Sequence, residues 1–222
     1  CDPSLDPRAK SLREIGFEEA SELAYFGAEV LHPSTLVPAM RADIPVRVLD
    51  TGEPDDAGTR IVGAAAPTER FAKSVVYKED VALVTLASPR LTSAARLLGR
   101  ALDVLADHRV GIHMAATSEA TVSLVTVSGY SETRLGEALD ELAGLGAVTV
   151  ERDKAIVCVV GRELAGRAGV LGRIFGAISA RGIKAKMVSQ SATEINVAFL
   201  VDNTQIEGAV GALHDLLLAP AR

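Results

Sequence analysis

From Val81 to Ser128 the spacing of the apolar positions switches from two to about 3.6 and back. VALVTLASPR alternates, LTSAARLLGRALDVLADH repeats every three to four residues, and RVGIHMAATSE and ATVSLVTVSG alternate again. Alternation marks a half-buried strand and the longer period an amphipathic helix, so the stretch predicts β-α-β-β. A helix at SETRLGEALDELAGLG and a strand at AVTVER complete βαββαβ. A second copy starts at Lys154: KAIVCVVGREL, AGVLGRIFGAISARG, IKAKMVSQSAT, EINVAFLVD and TQIEGAVGALHDLLLAP. It stops after its last helix, one strand short. A lone alternating run, Phe71–Lys78, has no partner of its own. Either it takes the vacant place, with the first copy inserted in the second, or it extends an edge.

Upstream the pattern is different. Residues 1–16 carry Asp2-Pro3 and Asp6-Pro7 and read as extended or turning chain. FEEASELAYFGAEVLH and PSTLVPAMRAD read as helices, IPVRVLD and TRIVG as strands, and TGEPDDAG as the polar turn between them. Such an order ends an α/β domain but lacks the alternating βα units of its front. Residues 1–63 therefore read as the end of a larger domain, and 64–70 as a linker. The chain opens on Cys1 inside a predicted loop, as a fragment or processed form would.

Composition narrows the partners. The chain is 48% hydrophobic with no Trp and 4% aromatic residues, so Leu, Val, Ile and Ala must build the core. A net charge of −6 without a Lys/Arg block sets nucleic acid aside, because a phosphate backbone wants a concentrated basic face. No apolar run approaches the roughly 18–20 residues of a membrane span, and there is no signal-peptide pattern. Cys1 and Cys158 are too few for a disulfide framework, so a reducing cytoplasm is expected. Cys158, in an apolar strand pattern, reads as a small buried thiol.

The candidate chemistry lies in turns. Gly161–Ala168, GRELAGRA, has the glycine spacing of a phosphate loop, but Arg167 and Ala168 replace its lysine and hydroxyl. What remains is a tight turn, or a strand-to-helix turn whose N–H groups receive a carboxylate. Leu86–Arg90 occupies the matching turn of the first copy, with Thr117-Ser118-Glu119 close to it in this topology. Turn N–H groups suit an α-carboxylate, and Glu119 with the neighbouring hydroxyls suits an ammonium. Those are the two ends of a free amino acid; a plain β-turn is the alternative. His32, His108, His113 and His214 have no metal-ligand spacing, so no metal site is expected.

The stretch FGAEVLHPSTLVPAMRADIPVRVLDTGEPDDAGTRIV resembles aspartate kinase. It carries a G-A-x-V-L-H-P turn at Gly27–Pro33, I-P-V at Ile44–Val46, and Pro54 followed by Gly58-Thr59. Thr117-Ser118-Glu119 and SQSATEINVAFLV resemble the two ACT regulatory modules of that family, closest to its lysine-sensitive, single-function class. The resemblance implies a C-terminal remnant of an α/β amino-acid-kinase domain (1–63). Two ferredoxin-like βαββαβ ACT domains would follow, 81–152 nested in 71–80 plus 153–219. It further implies ATP and Mg2+ for the complete enzyme, with neither held tightly by this chain and no catalytic residue within it. The nucleotide side would retain Asp2, Arg8, Glu29 and Val30, although Ser4 and Glu29 stand where the family has arginine and lysine. A feedback amino acid, lysine ahead of threonine, would bind near Ser88, Arg90, Leu91, Ala94, His113, Ser118 and Glu119 in a homodimer formed through the ACT domains. His113 stands where lysine-sensitive relatives carry an acid. The chain alone is expected to be inactive. The rival reading is a stand-alone ACT regulatory subunit without catalysis.

Overall fold

The computed structural model describes residues 2–28, 31–53, 55–66, 68, 70–88, 93–127 and 129–218. Two compact units result: Lys78–Ala155, and Cys1–Tyr77 together with Ile156–Arg222.

The second of these begins with β1 (Glu14–Gly16), α1 (Phe17–Tyr25), α2 (Pro33–Arg41), β2 (Val46–Val48) and β3 (Thr59–Val62). Their strands form a small sheet in the order β1-β3-β2, with β1 parallel and β2 antiparallel to β3. Ile15, Phe17, Leu36 and Ile61 are buried between this sheet and its helices. The sequence pattern located α1, α2, β2 and β3 but not β1, whose three residues are too short to show a period.

Two long strands follow, β4 (Ser74–Ala87) and, after the intervening elements, β7 (Ala147–Val160). The sequence pattern divides each into two strands. The structure joins them, because Asp80 (φ 56°) and Asp153 (φ 55°) take a left-handed conformation within the continuous strand. Asp is among the few non-glycine residues that adopt this conformation readily. The chain passes from one unit to the other within each of these strands.

Between them lie α3 (Ala94–Asp107), β5 (Ile112–Thr117), β6 (Thr121–Thr126) and α4 (Glu132–Leu142). Here the strand order is β5-β6-β4-β7. Helix α3 buries Leu97, Ala101, Val104 and Leu105, and α4 buries Leu135, Ala138 and Leu142. These are the i, i+4, i+7, i+8 and i, i+3, i+7 spacings of one helical face, and each leucine so buried stabilises by roughly 1.5–3 kcal/mol.

After β7 come α5 (Val170–Ser179), β8 (Val188–Gln190), β9 (Asn196–Asp202) and α6 (Ile206–Leu218), in the order β4-β7-β9-β8. The start of β4 thus sits beside β7 where the second copy lacks a strand, and Lys73 N–H donates to the Val160 carbonyl at 2.8 Å. Both copies have the ferredoxin-like βαββαβ arrangement, and the first is inserted in the sequence of the second. Strand β8 is three residues, much shorter than the run Ile183–Thr193 suggests. Cys158 is fully buried, and burial raises its thiol pKa well above the ordinary value. Among the described residues, no helix is long and apolar enough to cross a membrane.

Candidate functional site

In the inserted unit, β4 ends where the β5–β6 hairpin turns. Ala87 pairs with Thr121 in the antiparallel ladder, and Ser88 N–H donates to the Ala120 carbonyl at 3.0 Å. This bond fixes Ser88 against the hairpin turn at Ala120. Ser118 closes its own turn: its N–H reaches the Thr121 carbonyl at 2.9 Å and its hydroxyl meets Thr121 Oγ1 at 2.5 Å. Glu119 is exposed at the tip and Ser88 is buried. Ala94 begins α3, whose first turn is capped by the Ser93 hydroxyl accepting from Arg96 N–H. Gly146 stops close by: a Cβ there would lie 2.3 Å from the Ala87 carbonyl oxygen and 3.2 Å from Ser88 Cα. Ser88, Ser118 and Glu119 are therefore brought together as the topology predicts. Arg90 and Leu91 lie outside the described residues.

His113 stands apart from them. It occupies a β-bulge between Ile112 and Met114, five residues before Ser118 on β5. Along an extended strand that is about 16 Å. Its pKa is pushed down to about 4, chiefly by burial and secondarily by the charge of Lys78. At neutral pH the imidazole is uncharged. The unfolded chain takes up a proton near pH 6.5, before the folded chain does. Stability is therefore lost as pH falls from about 6.5 to about 4, with no further loss from this residue below that. A shift of this size is worth about 3 kcal/mol in a fully buried group, and about 2 kcal/mol once the ring's partial exposure is counted. Urea melts at pH 7, 5 and 4 are expected to show this acid loss, and His113→Gln to remove it; an unchanged slope in the variant would contradict it. His108 acts in the opposite sense. Its hydrogen bond to Glu141, at 3.0 Å, raises its pKa, so its contribution is present at low pH and lost as pH rises.

On the other candidate surface, Glu29 and Val30 lie outside the described residues, whereas Asp2 and Arg8 belong to a strap of two Asx turns. Asp2 Oδ1 accepts Ser4 N–H at 2.8 Å and the Ser4 hydroxyl at 2.7 Å, which lowers the Asp2 pKa, and Tyr77 donates to Oδ2 at 3.3 Å. Asp6 Oδ1 likewise accepts Arg8 N–H at 3.0 Å. The Arg8 guanidinium reaches both Asp6 and Asp215.

Gly161–Ala168 does not form a phosphate loop. Residues Arg162–Leu164 make a 3-10 turn, and the Gly166 N–H meets the carboxylate of Glu194 at 3.1 Å. The carboxylate received at this turn is the chain's own. Among the described residues, no group of three or more His, Cys, Asp or Glu side chains could hold a metal ion.

Two ferredoxin-like βαββαβ units, one inserted in the sequence of the other, follow a small α/β segment, an order similar to that of ACT-domain proteins. The ACT domain family matches residues 157–217, and the amino acid kinase family matches residues 1–50. The chain is related over nearly its whole length to the C-terminal part of aspartokinases. It is 34% identical to the lysine-sensitive aspartokinase 3 of Escherichia coli over 222 residues, which is 97% of this chain and 49% of that protein. E. coli aspartokinase III in complex with aspartate and ADP, the R-state, superposes with a TM-score of 0.88 at 32% identity, covering 98% of this chain and 49% of the other. The T-state with lysine and aspartate gives 0.84 at 33% identity, with the same coverages. The chain spans less than half the length of the curated relatives it matches.

Proposed function

We propose that this chain is the regulatory C-terminal half of an aspartate kinase, an enzyme that passes the γ-phosphoryl of ATP to the side-chain carboxylate of aspartate. Residues 1–63 would be the end of the catalytic domain and 64–70 a linker. ACT domain 1 would be 81–152, and ACT domain 2 would be 71–80 plus 153–219. Exposed apolar surface supports the first assignment. Of eight large hydrophobic side chains exposed among the described residues, Tyr25, Val37, Met40, Ile44 and Leu49 lie in the first 63 residues. Apolar surface concentrated in this way suits burial against further chain. Asp2, Arg8, Glu29 and Val30 would border the nucleotide side of the complete domain, where ATP and Mg2+ act. On this reading the chain alone makes no aspartyl phosphate, and an assay that detects it would refute the assignment.

The observation that carries the regulatory reading is the Ser88–Ala120 bond. It holds Ser88, at the end of β4, beside the turn that contains Ser118 and Glu119. The α-carboxylate of a feedback amino acid would meet the turn from Ser88 through Arg90 and Leu91 to Ala94, with Ser88 contributing its hydroxyl because its N–H is taken by Ala120. Its ammonium would meet Ser118 and Glu119. Lysine is the first candidate and threonine the second. His113, about 16 Å along β5, lies too far to share those contacts with one amino acid, but a second subunit could bring a site to it. Strand β5 is the last strand of its sheet, and Ala115–Thr117 are exposed. Such an edge is suited to a homodimer through the ACT domains. Effector binding would then shift the dimer between two states by its difference in affinity for them.

Calorimetric titration tests the site. Glu119→Gln removes one charged hydrogen bond to the ammonium and is expected to weaken lysine or threonine binding by about 1.5–3 kcal/mol, roughly ten- to hundredfold. Binding unchanged in the variant would place the ammonium elsewhere.

A further inference from the structure

The strap of residues 2–8 ends in a charge cluster that joins it to α6. Asp6 is 5% exposed, although the residues flanking it are partly or fully exposed. Its Oδ2 lies 2.7 Å from Nδ1 of His214, itself 6% exposed on α6. Because a carboxylate only accepts, the His214 Nδ1 carries the proton in this contact. Arg8 holds the same carboxylate through Nε at 2.9 Å and a terminal nitrogen at 2.6 Å, and that terminal nitrogen lies 2.7 Å from Asp215. Arg181, from the turn after α5, completes the cluster with a 2.5 Å contact to the other Asp215 oxygen. Two guanidiniums balance two carboxylates. Arg8 holds the Asp6 pKa far below the ordinary carboxylate range, and Asp6 raises that of Arg8.

We propose that Arg8 is a positioning residue: with Asp6 it clamps the nucleotide-side strap onto α6 of the second ACT domain, and its charge is engaged there and not by a phosphate. The location of the strap on the nucleotide side rests on the function proposed above; the clamp itself rests on the contacts. Arg8 and Asp215 are half exposed, with side-chain exposures of 54% and 45%, so their pair alone would hold weakly. The buried Asp6–His214 contact makes the difference. A carboxylate out of water must keep its partners, and both lie within the clamp. The clamp gives movements of α6 a direct route to the strap.

Hydrogen exchange of the full chain, read at Leu5, Asp6 and Ala9, tests this. Arg8→Gln and Asp215→Asn change exposed side chains and should leave the amides of α5 and β9 unchanged. Arg8→Gln, which also strips the buried Asp6 of its guanidinium, is expected to speed strap exchange roughly ten- to hundredfold, Asp215→Asn roughly two- to fivefold, and the double variant no more than Arg8→Gln alone. Arg8→Lys, which keeps the charge, should restore part of the protection. Strap amides that exchange in the wild type as fast as in a free peptide, or that ignore Asp215→Asn, would overturn the clamp. So would added ATP protecting the strap in the wild type but not in Arg8→Gln, because Arg8 would then be a nucleotide ligand. Failure to bind lysine or threonine with the strap still protected would count against the proposed function and not against the clamp.

Discussion

Glu19→Ala is expected to lower the unfolding free energy by about 3–5 kcal/mol, the cost of leaving a buried charge without its partner. Glu19 is 1% exposed at the start of α1. It accepts Gly16 N–H at 3.0 Å, Arg162 N–H at 2.8 Å and the Lys73 ammonium at 3.0 Å. The Lys73 side chain is 6% exposed. One carboxylate thus satisfies the end of β1, the approach to β4 and the turn after β7. Removing it strands an ammonium and two backbone donors. The pair itself need not be stabilising relative to a well-packed apolar one. Glu19→Gln combined with Lys73→Met should therefore recover much of the loss. Denaturant melts of the three variants decide the matter; a loss below about 1 kcal/mol in Glu19→Ala would show that water reaches the site.

Gly161→Val is expected to cost about 3 kcal/mol, the upper end of ordinary overpacking. The reason is space and not backbone conformation, since Gly161 is extended at φ 171°. A Cβ there would lie 2.5 Å from Ala72 Cα and 2.9 Å from Lys73 N, both backbone atoms that cannot rotate away. Gly161 N–H also donates to Ile195 at 2.9 Å, so the position is held from two sides. The substitution pushes the start of β4 off β7, at the place where that segment supplies the missing strand. Gly172→Ala on α5, where nothing lies within 4 Å of the added carbon, is the control and should stabilise slightly. If both variants melt like the wild type, the close approach of Ala72 to Gly161 does not exist in solution.

The helices were legible because their apolar faces repeat without interruption, as in Leu97, Ala101, Val104 and Leu105. Strand continuity was not. Lys78-Glu79-Asp80 reads as a polar break, yet Asp80 carries the strand through in a left-handed conformation. The pairing of Ser88 with the Ser118-Glu119 turn followed from the order of elements, since a hairpin beside the first strand must return to its end. The bulge at His113 leaves no mark in the alternation, and neither does its distance from that turn. The contacts around Asp6 and Glu19 were out of reach for a different reason. His214 lies 208 residues from Asp6 and Arg162 lies 143 residues from Glu19, and no local pattern links partners so distant. The repeated Asp-Pro of D-P-S-L-D-P-R was the visible part of that signal; it gave the turns but not what they hold.

The central claim is that this chain senses a free amino acid. Thermal unfolding with lysine, threonine, methionine and aspartate, each added separately, tests it most directly. A true effector at about 100 times its dissociation constant stabilises the native state by roughly 2.7 kcal/mol. Lysine is predicted to raise the transition by that amount, with threonine the second candidate and aspartate without effect. A transition unmoved by all four would contradict the account.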